Sequence, residues 1–292
     1  MTEAILQTRG LSRHFGGLAA VSGVSLACEM GRLHAIIGPN GAGKSTFINL
    51  LSGDLPASAG QVLFEGRDVT GFAADRISQL GVARSYQKTN LFLPFTAFEN
   101  CRLAAQSRLP DSMRFFRPAR GREDINATAH RALAQAGLAG RAGVVVSALS
   151  HGEQRQVEIA MALATRPRML LLDEPLAGMG AEESVRIVAL LRELMADHAI
   201  LLVEHDMDAV FAIANTLTVM VNGCVLESGT PAQIRSSRAV QEAYLGDYAG
   251  LDRSATKGSE CEATGRYSFY SSHLRLRTVP TSGGGGGSEH QP

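Results

Sequence analysis

The stretch "GPNGAGKST", Gly38 to Thr46, has residue types and spacing that suggest chemistry directly. It fits G-x-x-x-x-G-K-[ST] and stands between "RLHAIIG", which reads as a buried strand, and "KSTFINLLSG", which reads as a helix with Gly53 just past its end. In that setting Gly38, Pro39, Asn40, Gly41, Ala42 and Gly43 form a loop whose backbone N–H groups turn inward toward phosphate oxygens. The helix that follows adds its positive N-terminus. Lys44 is placed to reach the β- and γ-phosphates of a nucleotide, and Ser45, with Thr46 beside it, offers a hydroxyl to Mg²⁺. The bland alternative is a glycine-rich strand-to-helix turn; the Lys-Ser pair at the correct offset argues against it.

A second stretch complements the first. "MLLLDEP", Met169 to Pro175, is an apolar strand ending in two adjacent carboxylates. Strand alternation predicts that Asp173 and Glu174 point to different places. Asp173 can then hold a Mg²⁺ shell while Glu174 polarises a water for in-line attack on a γ-phosphate. Strand ends often carry solvated acids, but beside a phosphate loop the chemical reading is the stronger one. "LLVEHD" ends another buried strand with His205, which in a parallel sheet emerges at the same edge. Gln87 ends "ARSYQ" in the same way, where its amide could reach Mg²⁺ or the attacking water; a surface glutamine is equally plausible. "LSHGEQ", Leu149 to Gln154, opens a helix with Ser150, His151 and Gly152 and so offers backbone N–H groups to a negative charge.

These residues need elements to hold them. The first 30 residues turn often and suggest an antiparallel β arm. Strands and helices then alternate, as in a mainly parallel sheet covered on both faces. "AFENCRLAAQSR" and "EDINATAHRALAQAGL" read as helices of an insertion spanning about residues 90–155, joined by an Arg- and Pro-rich linker. In "EESVRIVALLRELMADH", Ile187, Leu190, Leu191, Leu194 and Met195 mark one helical face. "TLTVMVNGCVLESG" reads as a hairpin turning at Asn222-Gly223. Residues 251–292 carry five consecutive glycines and few large apolar residues, a composition expected to stay disordered.

Bulk properties bound the function. Apolar residues make up 45 % of the 292, enough for a sizeable core, and 28 Lys plus Arg balance 28 Asp plus Glu. That balance gives no electrostatic case for nucleic-acid binding. Four cysteines without a CxxC pair argue against a disulfide framework or zinc site and fit a reducing compartment. No apolar run has signal-peptide or membrane-span length, so the expectation is a soluble, cytosolic chain.

With these pieces in order, the chain resembles the ATP-binding subunit of an ABC transporter from Ile5 to about Tyr248. "LSHGEQ" is similar to that family's Leu-Ser-Gly-Gly-Gln signature, which other P-loop ATPases lack. The resemblance implies a RecA-like P-loop NTPase fold: an α/β core with a mainly parallel sheet, an antiparallel β arm and an inserted helical subdomain, all within residues 1–250. It implies ATP and Mg²⁺ as cofactors and hydrolysis as the activity. It also implies that Ser150, Gly152 and Glu153 meet the γ-phosphate of an ATP held by a second subunit. Phe15 falls where the family stacks an aromatic on adenine, Gln87 at its Q-loop, Glu174 at the catalytic base and His205 at the switch histidine. The partners implied are membrane permeases, a second ABC ATPase of the same or different sequence, and a substrate-binding protein, with the chain peripheral at the cytoplasmic face of the membrane.

Two positions depart from the family pattern: His151 replaces a glycine, and Gly180 replaces the aspartate that commonly ends the D-loop. "LFLPFTAFENCRLAAQ", "LSHGEQRQVEIAMALA", "LLLDEPLAGMG" and "AVQEAYLGDY" resemble the branched-chain amino-acid importer subfamily, with its urea and amide relatives. The lipopolysaccharide-export ATPase shares "DEP-x-AG" and is the runner-up. A soluble ABC ATPase of translation or repair fits less well, since one P-loop and one signature are present. A subunit that binds ATP only to dimerise is opposed by Glu174 and His205.

Overall fold

The computed structural model describes residues 4–86, 90–108 and 122–248; the expectation of a disordered 251–292 tail lies outside the described residues. The chain opens with β1 (Ala4–Phe15), β2 (Leu18–Glu29), β3 (Leu33–Ile37) and α1 (Lys44–Leu51). Next come β4 (Ala59–Phe64), β5 (Arg67–Asp68), α2 (Ala74–Leu80) and β6 (Val82–Arg84). Three helices follow: α3 (Ala97–Gln106), α4 (Glu123–Gln135) and α5 (His151–Ala164). The strand–helix rhythm then resumes with β7 (Met169–Asp173), α6 (Ala181–Leu194), β8 (Ala199–Val203) and α7 (Met207–Ile213). β9 (Thr216–Val221), β10 (Cys224–Gly229), α8 (Pro231–Ser236) and α9 (Arg238–Tyr248) complete it.

Two sheets result. The arm is a four-stranded antiparallel sheet in the order β2-β1-β4-β5, and the core sheet runs β10-β9-β3-β8-β7-β6. Within the core sheet β9, β3, β8, β7 and β6 are parallel, and β10 pairs antiparallel with β9. The β9–β10 turn has Asn222 at φ 49° and Gly223 at φ 80°, the two left-handed residues of a type I′ turn.

The central strands β3, β7 and β8 are buried at every residue, which explains their unbroken apolar runs. Alternate side chains feed two separate cores. Leu170 and Leu172 join a core shared with α3, α4 and α5, through Cys101, Ala129, Ala132 and Ala160. Met169 and Leu171 join a core shared with the arm and α1, through Phe47 and Ile48. On α6 the buried residues are Ile187, Leu190, Leu191 and Leu194, the predicted face without Met195, which caps the helix.

One buried polar chain ties the two sheets together. His34 on β3 donates from Nδ1 to the Ala27 carbonyl of β2 (3.1 Å), so its Nε2 accepts from the Thr218 hydroxyl of β9 (2.7 Å). Thr218 Oγ1 in turn lies 2.9 Å from Ser228 Oγ on β10. Burial lowers the His34 pKa to about 4. The folded protein therefore holds His34 neutral where the unfolded chain, titrating near 6.5, takes up a proton. As pH falls from about 6.5 to about 4, stability should drop with a slope approaching 1.4 kcal/mol per pH unit from this residue. Denaturant melts of wild type and His34→Gln across that window should show a steeper fall toward low pH in the wild type; equal slopes would refute the assignment.

Candidate functional site

Because β3, β8, β7 and β6 are adjacent and parallel, their carboxyl ends share one edge of the sheet. β3 runs into Gly38 and the phosphate-loop candidate, β7 into Glu174, β8 into Glu204 and His205, and β6 into Ser85 and Tyr86. The phosphate-loop candidate, Asp173, Glu174 and His205, from separate parts of the chain, thus lie along one sheet edge, the edge where ligands of open α/β sheets bind. Gln87 lies outside the described residues.

The Gly38–Gly43 loop is shaped by close approach. A Cβ on Gly38 would sit 2.1 Å from the Met220 carbonyl oxygen, and one on Gly43 would sit 2.2 Å from the Ala20 carbonyl oxygen. Gly43, at φ 96°, is the N-cap of α1 and supplies no side-chain cap, and the first turn carries no acid. The leading N–H groups of α1 are therefore left for an anion. The β9–β10 turn buttresses this loop, since Gly223 N–H donates to the Ala42 carbonyl (3.0 Å). Pro39 is half-buried, Ala42 and Lys44 are buried, and Asn40, Gly41 and Ser45 are exposed.

The Lys44 ammonium donates to the carbonyls of Gly38 (2.7 Å) and Pro39 (3.0 Å), folding back over the loop. Burial lowers its pKa, opposed by the negative fields of Glu174 and Asp173, so the three groups are electrostatic neighbours. Asp173 is almost fully buried, and burial raises its pKa against the opposing field of Arg84. Arg84, which sequence reasoning did not single out, reaches Asp173 Oδ2 at 3.5 Å and Asp54 Oδ2 at 2.7 Å. Asp173 Oδ1 is buried without a hydrogen-bond partner among the described residues. A buried, orphaned carboxylate oxygen is a donor suited to a hard cation such as Mg²⁺.

Glu174 differs from expectation in an instructive way. It lies one residue past β7, not on it, and adopts φ 49°, a left-handed conformation that costs a non-glycine residue about 1 kcal/mol. Its separation from Asp173 is therefore produced by the break in the strand and not by strand alternation. Its N–H donates to the Val203 carbonyl (2.8 Å), and its carbonyl accepts from Ala177 N–H (3.2 Å). His205 likewise lies past β8, with its side chain 64 % exposed, free to meet a ligand.

Glu204, beside it, was missed. It is fully buried, accepts from Leu176 N–H (2.7 Å) and from His205 N–H (3.1 Å), and so ties the histidine loop to the loop after Glu174. Burial raises its pKa. The only sequence hint was a second acid directly after an apolar strand.

Phe15 ends β1 with 44 % of its surface exposed, and the Arg13 guanidinium lies 4.6 Å from the ring centroid. At the opposite end of the chain's chemistry, Ser150 N-caps α5 in a capping box. Its hydroxyl accepts from Glu153 N–H (3.2 Å), and the Glu153 carboxylate accepts from Ser150 N–H (2.9 Å). These N–H groups are thus partly satisfied within the chain, contrary to the expectation that they stand unpaired. Glu183 also presents its carboxylate here, accepting from Ser150 Oγ (3.2 Å); a Cβ on Gly152 would lie 2.6 Å from it. His151 Nε2 lies 3.3 Å from the Ala177 carbonyl, three residues before Gly180.

Comparisons with known proteins identify the family. Residues 21–177 match the family described as ABC transporter, and residues 224–250 match the one described as branched-chain amino acid ATP-binding cassette transporter. The high-affinity branched-chain amino acid transport ATP-binding protein BraF of Pseudomonas aeruginosa is 38 % identical over 254 residues, covering 85 % of this chain and 100 % of that protein. Its counterpart LivG of Escherichia coli strain K12 is 36 % identical with the same coverage. Among solved structures, the ADP conformation of an ATP-binding cassette of an ABC transporter superposes with a TM-score of 0.76 at 32 % identity, covering 84 % of this chain and all of that one.

The steric role of Gly43 is testable. Gly43→Ala must push its methyl against the Ala20 backbone, a strain of about 1–3 kcal/mol, and should both lower Tm and weaken ATP binding at least tenfold in calorimetric titration. Unchanged affinity would mean the loop does not need this approach.

Proposed function

This chain belongs to the family of ABC transporter ATP-binding proteins, and from that premise we propose that it powers uptake of branched-chain or related small amino-acid-type solutes, urea and amides included. The observation that carries the chemistry is the convergence of the uncapped α1 N-terminus, Lys44, Asp173, Glu174 and His205 at one sheet edge. The importer is favoured over the lipopolysaccharide exporter by the C-terminal match over residues 224–250 and by the relatives' names.

In this reading Phe15 stacks on adenine, sharing its ring with Arg13 or exchanging one face for the base. The backbone of Gly38–Gly43 and the N-terminus of α1, with Ser45 and Thr46, cradle the phosphates. Lys44 trades its two carbonyl partners for β- and γ-phosphate oxygens. Mg²⁺ would be held by Ser45, Asp173 and Gln87, and when bound it neutralises charge on the phosphates. Glu174 accepts hydrogen bonding from the attacking water and aligns it, and His205 contacts the γ-phosphate.

Ser150, Gly152 and Glu153 complete the site of a second ATPase, so that two ATP molecules clamp two subunits head to tail. In that dimer Ser150 must leave the Glu183 carboxylate for a phosphate oxygen. The segment α3 to α5 docks onto permease subunits at the cytoplasmic face of the membrane. Phe92, Leu93 and Phe95, exposed just before α3, are the apolar contacts expected of such a surface. No described helix is long and apolar enough to cross a membrane. A substrate-binding protein delivers the solute, which this chain does not touch, and nucleic acid plays no part.

Three variants separate these roles. Lys44→Ala should weaken ATP binding and abolish turnover. Glu174→Gln should keep binding and lower kcat at least a hundredfold. Ser150→Arg should keep binding and abolish turnover, because it blocks the partner's phosphate; loss of nucleotide binding in that variant would contradict the trans arrangement.

A further inference from the structure

Arg155 sits one turn into α5, five residues after Ser150, and its side chain is 3 % exposed. An arginine in that position would ordinarily reach solvent. Instead its guanidinium spans three elements. Nη1 donates to Glu158 Oε2 (2.5 Å) and to the Tyr86 carbonyl (2.9 Å), while Nη2 donates to the Glu174 carbonyl (3.1 Å). Glu158, also buried, uses its other oxygen to accept from Asn90 N–H (3.1 Å). One ion pair on one helix therefore holds Tyr86 and Asn90, the two residues flanking 87–89, and the backbone of Glu174.

Each contact has a mechanical consequence. Glu174 holds a left-handed φ that its own side chain disfavours, so neighbours must maintain it. Its N–H is fixed by β8, and its carbonyl by Ala177 and Arg155. The carbonyl bond orients the peptide plane after Glu174 and with it the direction of the carboxylate. The planar fork of an arginine can serve two carbonyls and a carboxylate at once, which a lysine ammonium on a flexible stem does less well.

We propose that Arg155, paired with Glu158, is a positioning residue that couples the signature helix to the catalytic base: it aims Glu174 through the Glu174 carbonyl. A shift of α5, produced when Ser150 engages a partner's nucleotide, is then conveyed to the base through the planar guanidinium. The inference rests on the roles given above to Glu174 and Ser150.

The test uses the full chain and separates positioning from mere stability. Arg155→Ala alone would strand the Glu158 carboxylate in the core and could unfold the protein. The double variant Arg155→Met/Glu158→Leu replaces the pair with apolar groups of similar volume, an exchange that buried ion pairs often tolerate. It should melt within a few degrees of wild type and keep its Kd and KM for ATP within about threefold. Its kcat should fall about thirtyfold or more, the scale set by small misplacements of a reacting group. Glu158→Gln keeps an amide oxygen for Arg155 while its NH2 meets the Asn90 N–H; it leaves the Arg155–Glu174 contact in place and should retain kcat within about threefold, and Arg155→Lys should fall with the double variant. Wild-type kcat in a folded double variant would overturn the proposal, as would a loss confined to KM. A double variant that does not fold transfers the decision to Arg155→Lys against Glu158→Gln, where equal kcat values would overturn it. Lys44→Ala supplies the baseline: turnover equal to wild type there would remove the reading of the site itself, and this inference with it.

Discussion

A parallel sheet puts the carboxyl ends of all its strands at one edge, and everything at this site depends on that constraint. β3, β7 and β8 are buried along their whole length, and they and β6 turn polar within a residue or two of the same edge. The sheet can be apolar on both faces because helices and the arm cover it. Its polar groups are therefore forced to the strand ends, where backbone N–H groups, carboxylates and a histidine meet.

Buried charge in that crevice needs partners, and the chain supplies them from itself. Lys44 bonds loop carbonyls, and Asp173 faces Arg84. Each of these contacts is one that a phosphate or a cation would compete for. Nucleotide binding is thereby an exchange of partners at fixed positions, which suits a motor that must release its nucleotide as readily as it takes it. Loops fixed by buried side chains, Glu204 to Leu176 and Arg155 to Glu174, keep the exchange from becoming local disorder.

Much of this was legible in the sequence where chemistry is carried by contiguous residues. The phosphate loop, the paired acids after β7, the signature and the Asn222-Gly223 turn announce themselves through spacing and through the strand or helix beside them. What could not be read depends on contacts distant along the chain. Arg155 and Glu158, three apart on α5, look like a solvated ion pair; only the closeness of β6 and β7 to that helix makes them internal. Arg84 reads as the polar end of a short strand until Asp173 is placed beside it. The backbone of Glu174 is a different failure: periodicity extended the strand by one residue, and nothing in residue type signals a left-handed φ for glutamate.

The central claim, that this chemistry drives a solute importer, is tested most directly by recovering the protein from native membranes in mild detergent and identifying its companions by mass spectrometry. The account predicts two multispanning permease subunits and a second, similar ATPase. Components of a lipid exporter, or ribosomes with no membrane protein, would contradict it.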